Sequence, residues 1–339
     1  MGVLAATNLT LLDFARRSDP NGKIAKVAEV LNKYNEILDD MVWKEGNLPT
    51  GHKTTLRGTV PAGTWRLLNQ GIVPQKSTTK QITETCGMLE NYSEVDKDLA
   101  MLNGNTDDFR FSEDLAIIEG MNQSLATAII YGDTSVNAEQ FVGLAPRYYG
   151  LSTAVTSANV INAQGTTSAN NTSIYLIGWS DDTVHGIFPN GSKAGLSVQD
   201  LGEQTIYDAA LGRYQALRTH FQLKAGICVR DWRYIVRIAN IDITNLETAS
   251  DGTDTSANIL KYMSQALDKF PPNGNVRPVF YMNQRVRAML RVKLINKSNA
   301  YLTLENIMGG SGITRPTLMF QGVPCRRVDA ILNTENPLT

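Results

Sequence analysis

The sequence predicts an α+β fold, and three observations lead to this class. Apolar residues recur at three- and four-residue steps in residues 24–42 and again in residues 109–131, which predicts two amphipathic helices. From residue 173 onward, short runs rich in β-branched and aromatic residues predict strands. Two further helical segments, 256–270 and 283–297, lie among these strands. Helices mixed with runs of strands are typical of the α+β class.

Length and composition narrow the function classes. The chain has 339 residues, enough for more than one domain, and its net charge of -1 argues against a protein that coats nucleic acid through bulk charge. No apolar run approaches the roughly 18–20 residues that span a bilayer, and the first residues lack the pattern of a secretory signal. The three cysteines are widely spaced, so we expect reduced thiols in a protein made in a cytoplasm.

The first helix is expected to follow an extended stretch, residues 1–20, and to run from Ile24 to about Val42. In the second helix, Ser112 is expected to be the N-cap because its hydroxyl can accept a hydrogen bond from the first turn. Gly132 is the expected stop signal of that helix.

Between these helices lies a basic segment, residues 46–83, which contains no Asp or Glu and is called the basic arm below. Ordinary structureless connections rarely exceed about 12–15 residues. We expect a hairpin with strands 53–60 and 64–70 that turns at Pro61 to Gly63. A two-stranded hairpin alone is marginal in water, so this one requires another surface. The predicted contacts are its bases and its apolar residues: Lys53, Arg57, Arg66, Lys76 and Lys80, with Leu56, Val60, Trp65, Leu67 and Ile72.

An acidic region, residues 84–119, follows the arm and contains ten carboxylates but only two bases. Its opposite charge predicts that the arm bases contact acids of an adjacent subunit, from this region or from the N-terminal helix. The candidate acids are Asp96, Asp98, Asp107 and Asp108. Two other interpretations stay open: a solvated acidic surface, or paired carboxylates for glycoside hydrolysis or a divalent ion.

The second half of the chain is predicted to be mainly strands. In order, local patterns predict strands at 173–179, 185–189, 222–229 and 234–241, a helix at 256–270, a strand at 277–282 and a helix at 283–297. The glycine-rich residues 304–312 are expected to form a loop. Two strands around Gly322 close the chain, within residues 316–332.

No motif predicts a catalytic centre, a metal site or a cofactor. The histidines, His52, His185 and His220, are not at ligand spacing, which argues against a zinc site built from them. No phosphate loop, dinucleotide fingerprint or nucleophile elbow occurs in the sequence.

The helix at 283–297 is basic, and two interpretations of it are open. Arg285, Arg287 and Arg291 could touch the phosphate backbone of packaged DNA. The alternative is a solvated or salt-bridged helix face, which the lack of interleaved aromatic residues favours.

Several segments, taken in order, carry a resemblance to a known family. They are ILDDMVWKEGNLPTGHKTTLRG (37–58), ETCGMLENYSEVDKDLAMLNGN (84–105), FRFSEDLAIIEGMNQSLATAIIYGD (109–133), EQFVGLAPRYY (139–149), RDWRYIVRIANI (230–241) and FQGVPCRRVDAIL (320–332). With these segments the chain resembles the major capsid proteins of tailed double-stranded DNA bacteriophages, which have the Hong Kong 97-like fold. It is most similar to those of short-tailed phages.

The resemblance implies a division of the chain into functional parts. Residues 1–45 would form an N-terminal arm and helix, and residues 46–85 an extended loop that reaches over a neighbouring subunit. A peripheral domain with a long spine helix would take residues 86–150, an axial domain residues 151–299, and residues 300–339 would return to the peripheral domain.

The resemblance also implies a structural protein and not an enzyme. Many copies would assemble as pentamers and hexamers into an icosahedral shell around double-stranded DNA, with separate scaffolding, portal and cement proteins and no membrane or cofactor. The expected location is the virion, after assembly in the cytoplasm of a bacterial host. The alternative within this fold is an encapsulin-like nanocompartment shell.

Overall fold

The computed structural model describes residues 33–102, 106–151, 157–207, 211–248, 258–272, 274–295, 302–308 and 314–338. Its first half contains α1 (Ile37–Asp40), β1 (Trp43–Glu45), β2 (Gly51–Thr59), β3 (Thr78–Thr85), β4 (Gly87–Asp96), α2 (Lys97–Met101) and α3 (Thr106–Tyr131). The middle contains β5 (Val160–Asn162), β6 (Asn171–Trp179), β7 (Val184–Phe188), β8 (Leu196–Tyr207), β9 (Arg213–Val229) and β10 (Ile235–Asp242). The rest contains α4 (Ile243–Thr248), α5 (Ile259–Lys269), β11 (Arg277–Met282), α6 (Gln284–Ile295), β12 (Leu302–Met308), β13 (Thr314–Phe320) and β14 (Val323–Arg327).

Twelve of these strands belong to one mixed sheet, whose main path is β12-β13-β14-β11-β6-β7-β9-β4. β10 lies antiparallel to β6, β1 lies parallel to β7, and β8 lies antiparallel to β9. β2 and β3 form a separate antiparallel pair, which is the basic arm. Since helices and strands are mixed in this way, the predicted α+β class is confirmed.

The central strands are buried on both faces, because their side chains alternate between two cores. In β6, Tyr175 and Ile177 point into the first core, whereas Ile174 and Leu176 point into the second. The long helix α3 covers the first core, and α5 with α6 covers the second. Because both faces are buried, these strands are nearly continuous apolar runs, and this is why they could be predicted from the sequence.

A second part of the sheet extends away from these cores. The strand β9 has 17 residues; its last part pairs with β7, and its first part lies between β4 and β8. A small third core joins this extension to the start of α3, through Val95, Leu99 and Phe109. With 26 residues, α3 is about 39 Å long and connects the extension to the first core.

The structure corrects the predicted hairpin of the arm. The strand that pairs with β2 is β3, from Gly51 opposite Thr85 to Thr59 opposite Thr78, and not residues 64–70. Residues 60–77 therefore form a long tip without strands, and Pro61 does not close a tight turn. The reason is that β propensity acts only where a pleated surface is available, and Trp65 has none to pack on.

The bounds of both predicted helices differ from those in the structure, and residues 33–36 of the first are not helical. The first was expected to reach Val42, but the described part contains only α1, and β1 begins at Trp43 to pair with β7; residues before 33 lie outside the described part. The second begins at Thr106, six residues before the predicted cap Ser112, because the earlier turn buries Phe109 in the third core.

The end of α3 is confirmed at Gly132. A Cβ atom at this position would lie 2.4 Å from the carbonyl oxygen of Phe141 and 2.5 Å from that of Ala128. The glycine is therefore required by the close approach of the returning chain and not by a left-handed backbone.

Six strands were not predicted: β1, β3, β4, β5, β8 and β12. Residues 304–312 were expected to be a loop, but β12 spans Leu302–Met308 and pairs along its length with β13. β8 was also missed, because its exposed and polar residues lack an apolar face. The other predicted strands and helices of the second half are confirmed, including the final turn at Gly322.

Candidate assembly surfaces

The tip of the basic arm, residues 60–77, is the most exposed apolar surface of the described chain. Trp65 is 100% exposed, and five other large apolar side chains of the tip are exposed as well: Val60, Leu67, Leu68, Ile72 and Val73. Monomeric proteins rarely leave such a group of large apolar side chains in water, so the tip has the character of a contact surface.

The five bases of the arm follow the same surface. All five side chains are exposed: Lys53 and Arg57 in β2, Arg66 and Lys76 in the tip, and Lys80 in β3. Arg66 donates only to the carbonyl oxygen of Gln70, at 3.4 Å. Within the described residues none of the five forms an ion pair, so their charges are free for another molecule.

The base of the arm, in contrast, is tied to its own subunit. Arg147 donates two hydrogen bonds to the carboxylate of Glu84, at 2.7 and 2.6 Å, and two more to the carbonyl oxygens of Gly143 and Val142. Glu84 is buried at the end of β3, and Arg147 follows α3. This bidentate pair therefore fixes the arm at its root and leaves its tip free.

The candidate acids divide into two groups. Asp96 caps α2, because its carboxylate accepts hydrogen bonds from the backbone N–H groups of Asp98 and Leu99. Asp98, Asp107 and Asp108 are exposed in the first turns of α2 and α3, where negative charge favours the helix dipole.

Other acids of the region are engaged within the chain. Glu94 pairs with Arg218 at 3.0 Å, and Glu90 lies 3.4 Å from His220. The acidic surface available to a neighbour thus consists mainly of the helix starts.

Two of the three candidate DNA-facing arginines have partners in their own chain. Arg285 lies 3.6 Å from Glu247, and Arg287 lies 3.7 Å from Glu36. Burial is the largest influence on Arg287 and lowers the pKa of its guanidinium. Only Arg291 is exposed without an ion pair among the described residues, which fits the interpretation of a partly salt-bridged face.

A small cleft lies where β4, α3 and β9 meet the segment after α3. It has a volume of about 90 Å³ and is lined mainly by apolar side chains, including Met88, Leu125 and Phe141, with Glu139 at its edge. Its size suits one apolar side chain, and the carboxylate of Glu139 is placed to pair with a basic side chain beside it.

A buried ionic cluster, which sequence reasoning missed, holds the C-terminal segment on the first core. Arg237 of β10 donates to Glu335 at 3.1 Å and to the carbonyl oxygen of Tyr148 at 3.0 Å. The hydroxyls of Tyr131 and Ser173 donate to the same carboxylate, each at 2.5 Å. Because its members come from four distant parts of the chain, no local pattern could reveal it.

A second missed cluster lies at the root of the arm. It consists of His52 of β2, His185 of β7 and Cys228 of β9. The side-chain donor atoms of the three residues lie within 4.8 Å of one another. Sequence spacing suggested no pairing of histidines, but the sheet brings two of them together, with ring centroids 5.8 Å apart.

The cluster is held in neutral forms. Burial lowers the pKa of His185 to about 4, and it also lowers the pKa of His52. The neighbouring cations Lys44 and Arg230 act in the same direction on both rings. Burial raises the pKa of the Cys228 thiol to about 12.

No helix in the described ranges is long and apolar enough to cross a membrane.

Comparison with known proteins places these surfaces in a family context. Residues 19–339 match the model of the family described as major capsid protein GP7. The chain is similar to one in the cryo-EM structure of bacteriophage epsilon15, a short-tailed phage, with 36% identity, 100% of both chains covered and a TM-score of 0.76.

More distant structures match as well. The capsid of bacteriophage JBD30 matches with 9% identity, 89% of this chain and 92% of that chain covered, and a TM-score of 0.49. The SrpI encapsulin of Synechococcus elongatus PCC 7942 matches with 11% identity, 70% and 98% covered, and a TM-score of 0.43. The search of curated proteins found no match.

The resemblance noted in the sequence is thereby confirmed, and so is the Hong Kong 97-like fold. The match to the family model covers nearly the whole chain, and the epsilon15 chain is more than one third identical over its full length. The chain therefore belongs to the family of GP7 major capsid proteins.

Proposed function

We propose that many copies of this chain assemble, as pentamers and hexamers, into an icosahedral shell that encloses a double-stranded DNA phage genome. The observation that carries this proposal is the arm, which has a fixed root and a tip whose apolar side chains have no cover in the subunit. Membership in the major capsid family supports the same function. Such a tip gains free energy only when another subunit covers it.

Electron microscopy of the expressed protein tests the proposal. We expect closed shells or tubes built from one chain. A protein that stays monomeric at all concentrations and salt conditions, with an intact fold, would overturn it.

The arm is proposed to lie across an adjacent subunit, with its bases near that subunit's exposed acids. Asp98, Asp107 and Asp108 are the best candidates, because all three are exposed and none forms an ion pair among the described residues. Exposed ion pairs contribute roughly 0–1 kcal/mol each, so they set register more than affinity. The apolar cleft beside Glu139 offers a place for one apolar side chain of the neighbour's tip.

A charge change tests this arrangement. The double change Asp107→Asn and Asp108→Asn is expected to weaken assembly several-fold at low salt and less at high salt. Asp182→Asn is the matched control, since Asp182 is an exposed acid whose partner is Arg230 of its own chain. Equal assembly of all three proteins at low salt would contradict the role of these acids.

The remaining parts of the proposal follow from the family. The divisions 1–45, 46–85, 86–150, 151–299 and 300–339 are proposed as N-terminal arm, extended loop, peripheral domain, axial domain and return segment. Separate scaffolding, portal and cement proteins are proposed partners, and the host cytoplasm is the proposed place of assembly. Arg291 is the proposed contact to packaged DNA, since it is exposed and unpaired within the described chain.

No catalytic role is part of the proposal. Hydrolysis of a glycoside would require two free carboxylates that face each other across a substrate cleft. In the acidic region, Asp96 is used as a helix cap, and Glu84 and Glu94 are held by Arg147 and Arg218.

A further inference from the structure

We propose that His52, His185 and Cys228 bind a transition-metal ion of the Zn²⁺ type at the root of the arm. Two imidazole nitrogens and one thiolate are a donor set that suits Zn²⁺ and similar borderline ions. The three donors lie within 4.8 Å of one another in the chain without metal.

The surroundings of His185 support a ligand role. This side chain is completely buried, and neither of its ring nitrogens has a hydrogen-bond partner among the described residues. Buried polar groups are hydrogen-bonded in the large majority of cases, so an imidazole without partners requires an explanation. A bound metal ion would supply the missing partner.

The strands hold the donors in a fixed arrangement. His185 and Cys228 are directly opposite each other in the antiparallel pair of β7 and β9, so their side chains lie on the same face. His52 reaches this face from β2. Thr50, the residue just before β2, accepts a backbone hydrogen bond from the N–H group of Cys86 and so holds the start of this strand. The site therefore joins the arm to the body of the subunit.

Only small movements are needed to load the site. In tetrahedral zinc, with bonds of about 2.0–2.3 Å, the donor atoms are roughly 3.5 Å apart, so side-chain rotation must bring them about 1 Å closer. His52 now accepts a weak hydrogen bond at Nδ1 from the backbone N–H of Asn47, at 3.3 Å. Coordination through Nε2 would transfer the ring proton to Nδ1 and give up that bond, and Cys228 would lose its thiol proton to solvent.

The charges near the site select the type of ion. Lys44 and Arg230 are close enough to act electrostatically on both imidazoles, so a hard cation held by charge alone is disfavoured. A borderline ion held by nitrogen and sulfur is not subject to the same limit, because the thiolate neutralises part of its charge. Three protein ligands leave the fourth tetrahedral position for water.

A Co²⁺ titration of the purified full-length protein under reducing conditions tests the site. We expect one Co²⁺ per chain, a near-ultraviolet absorption band from the cobalt–thiolate bond, and displacement of Co²⁺ by Zn²⁺. His52→Gln and Cys228→Ser should lose the band and weaken binding at least about tenfold, since each removes one ligand.

The chain offers matched controls. His220→Gln changes the third histidine, which lies beside Glu90, and Cys325→Ser changes a buried thiol in the second core; both should bind Co²⁺ like the unchanged protein. If Cys228→Ser fails to fold, the half-buried His52 decides the outcome, because its replacement removes little packing.

A thermal measurement provides a second readout. Zn²⁺ should raise the unfolding midpoint of the unchanged protein and of His220→Gln by a few degrees, but not that of His52→Gln. The proposal is overturned by the absence of a cobalt band, or by equal binding in His52→Gln and His220→Gln. Its failure would leave shell formation untouched, because electron microscopy tests that function separately.

Discussion

Replacing Trp65 by Ala separates the stability of the subunit from the stability of the shell. Trp65 is 100% exposed in the subunit, so its loss should change the free energy of unfolding by less than about 0.5 kcal/mol. A Trp side chain can bury about 150–250 Å² in a contact. If a neighbour covers half of that surface, the lost contact is worth about 2–3 kcal/mol at 25 cal/mol per Å².

A loss of about 2 kcal/mol corresponds to roughly a 30-fold rise in the concentration at which a single contact forms. The assay compares urea unfolding of the unassembled subunit with the concentration dependence of assembly, followed by sedimentation and electron microscopy. We expect an unchanged unfolding curve and a strongly raised assembly threshold.

Trp43→Ala is the matched control for this experiment. Trp43 lies in β1 and packs against the first core, so its loss should lower the free energy of unfolding by about 2 kcal/mol or more. If Trp65→Ala lowered subunit stability as much as it lowered assembly, or left assembly unchanged, the argument for the tip would be refuted.

Three further changes test the interior of the subunit. Arg147→Ala should destabilise it by about 3 kcal/mol in urea unfolding, since it leaves the buried carboxylate of Glu84 unpaired, whereas Arg230→Ala removes an exposed pair and should cost less than about 1 kcal/mol. Glu335→Gln should lower the free energy of unfolding by about 2–4 kcal/mol, because it removes the charge that Arg237 requires; an unchanged thermal midpoint would contradict this. Gly132→Ala should lower the yield of folded protein, because the new Cβ would lie 2.4 Å from a backbone oxygen, and a stability loss under about 1 kcal/mol would refute this.

Most local elements of the second half, apart from β8 and β12, were predictable because each is specified by its own residues. The strands β6, β10 and β11 are short apolar runs bounded by turn residues. Such runs are typical of strands that are buried on both faces of a sheet. The helix α5 has apolar residues on one side and ends before Pro271, as predicted. In these segments, local propensity and tertiary burial agree.

The arm shows why other elements were not predictable. Both 64–70 and 78–85 have residues suited to a strand, but only the second finds a partner edge in β2. The choice depends on the length of the tip and on what surrounds the root, including the pair of Glu84 with Arg147. Neither is visible in a window of neighbouring residues.

The candidate sites show the same division. The exposed bases and apolar residues of the arm were found from composition, because a long segment without acids is unusual in any context. The roles of Asp96 as a cap and of Arg287 as a partner of Glu36 emerged only from the structure.

The α+β class, the family resemblance and the need of the basic arm for another surface all follow from the amino-acid sequence. These properties depend on residue types and their order along the chain, which can be analysed in short windows of the sequence. Three features depend on the folded chain: the strand that completes the arm, the acids that are already paired, and the meeting of His52, His185 and Cys228 at its root. Those features depend on strand register and on packing between segments that are distant in sequence. The spacing of residues within one segment does not predict such contacts.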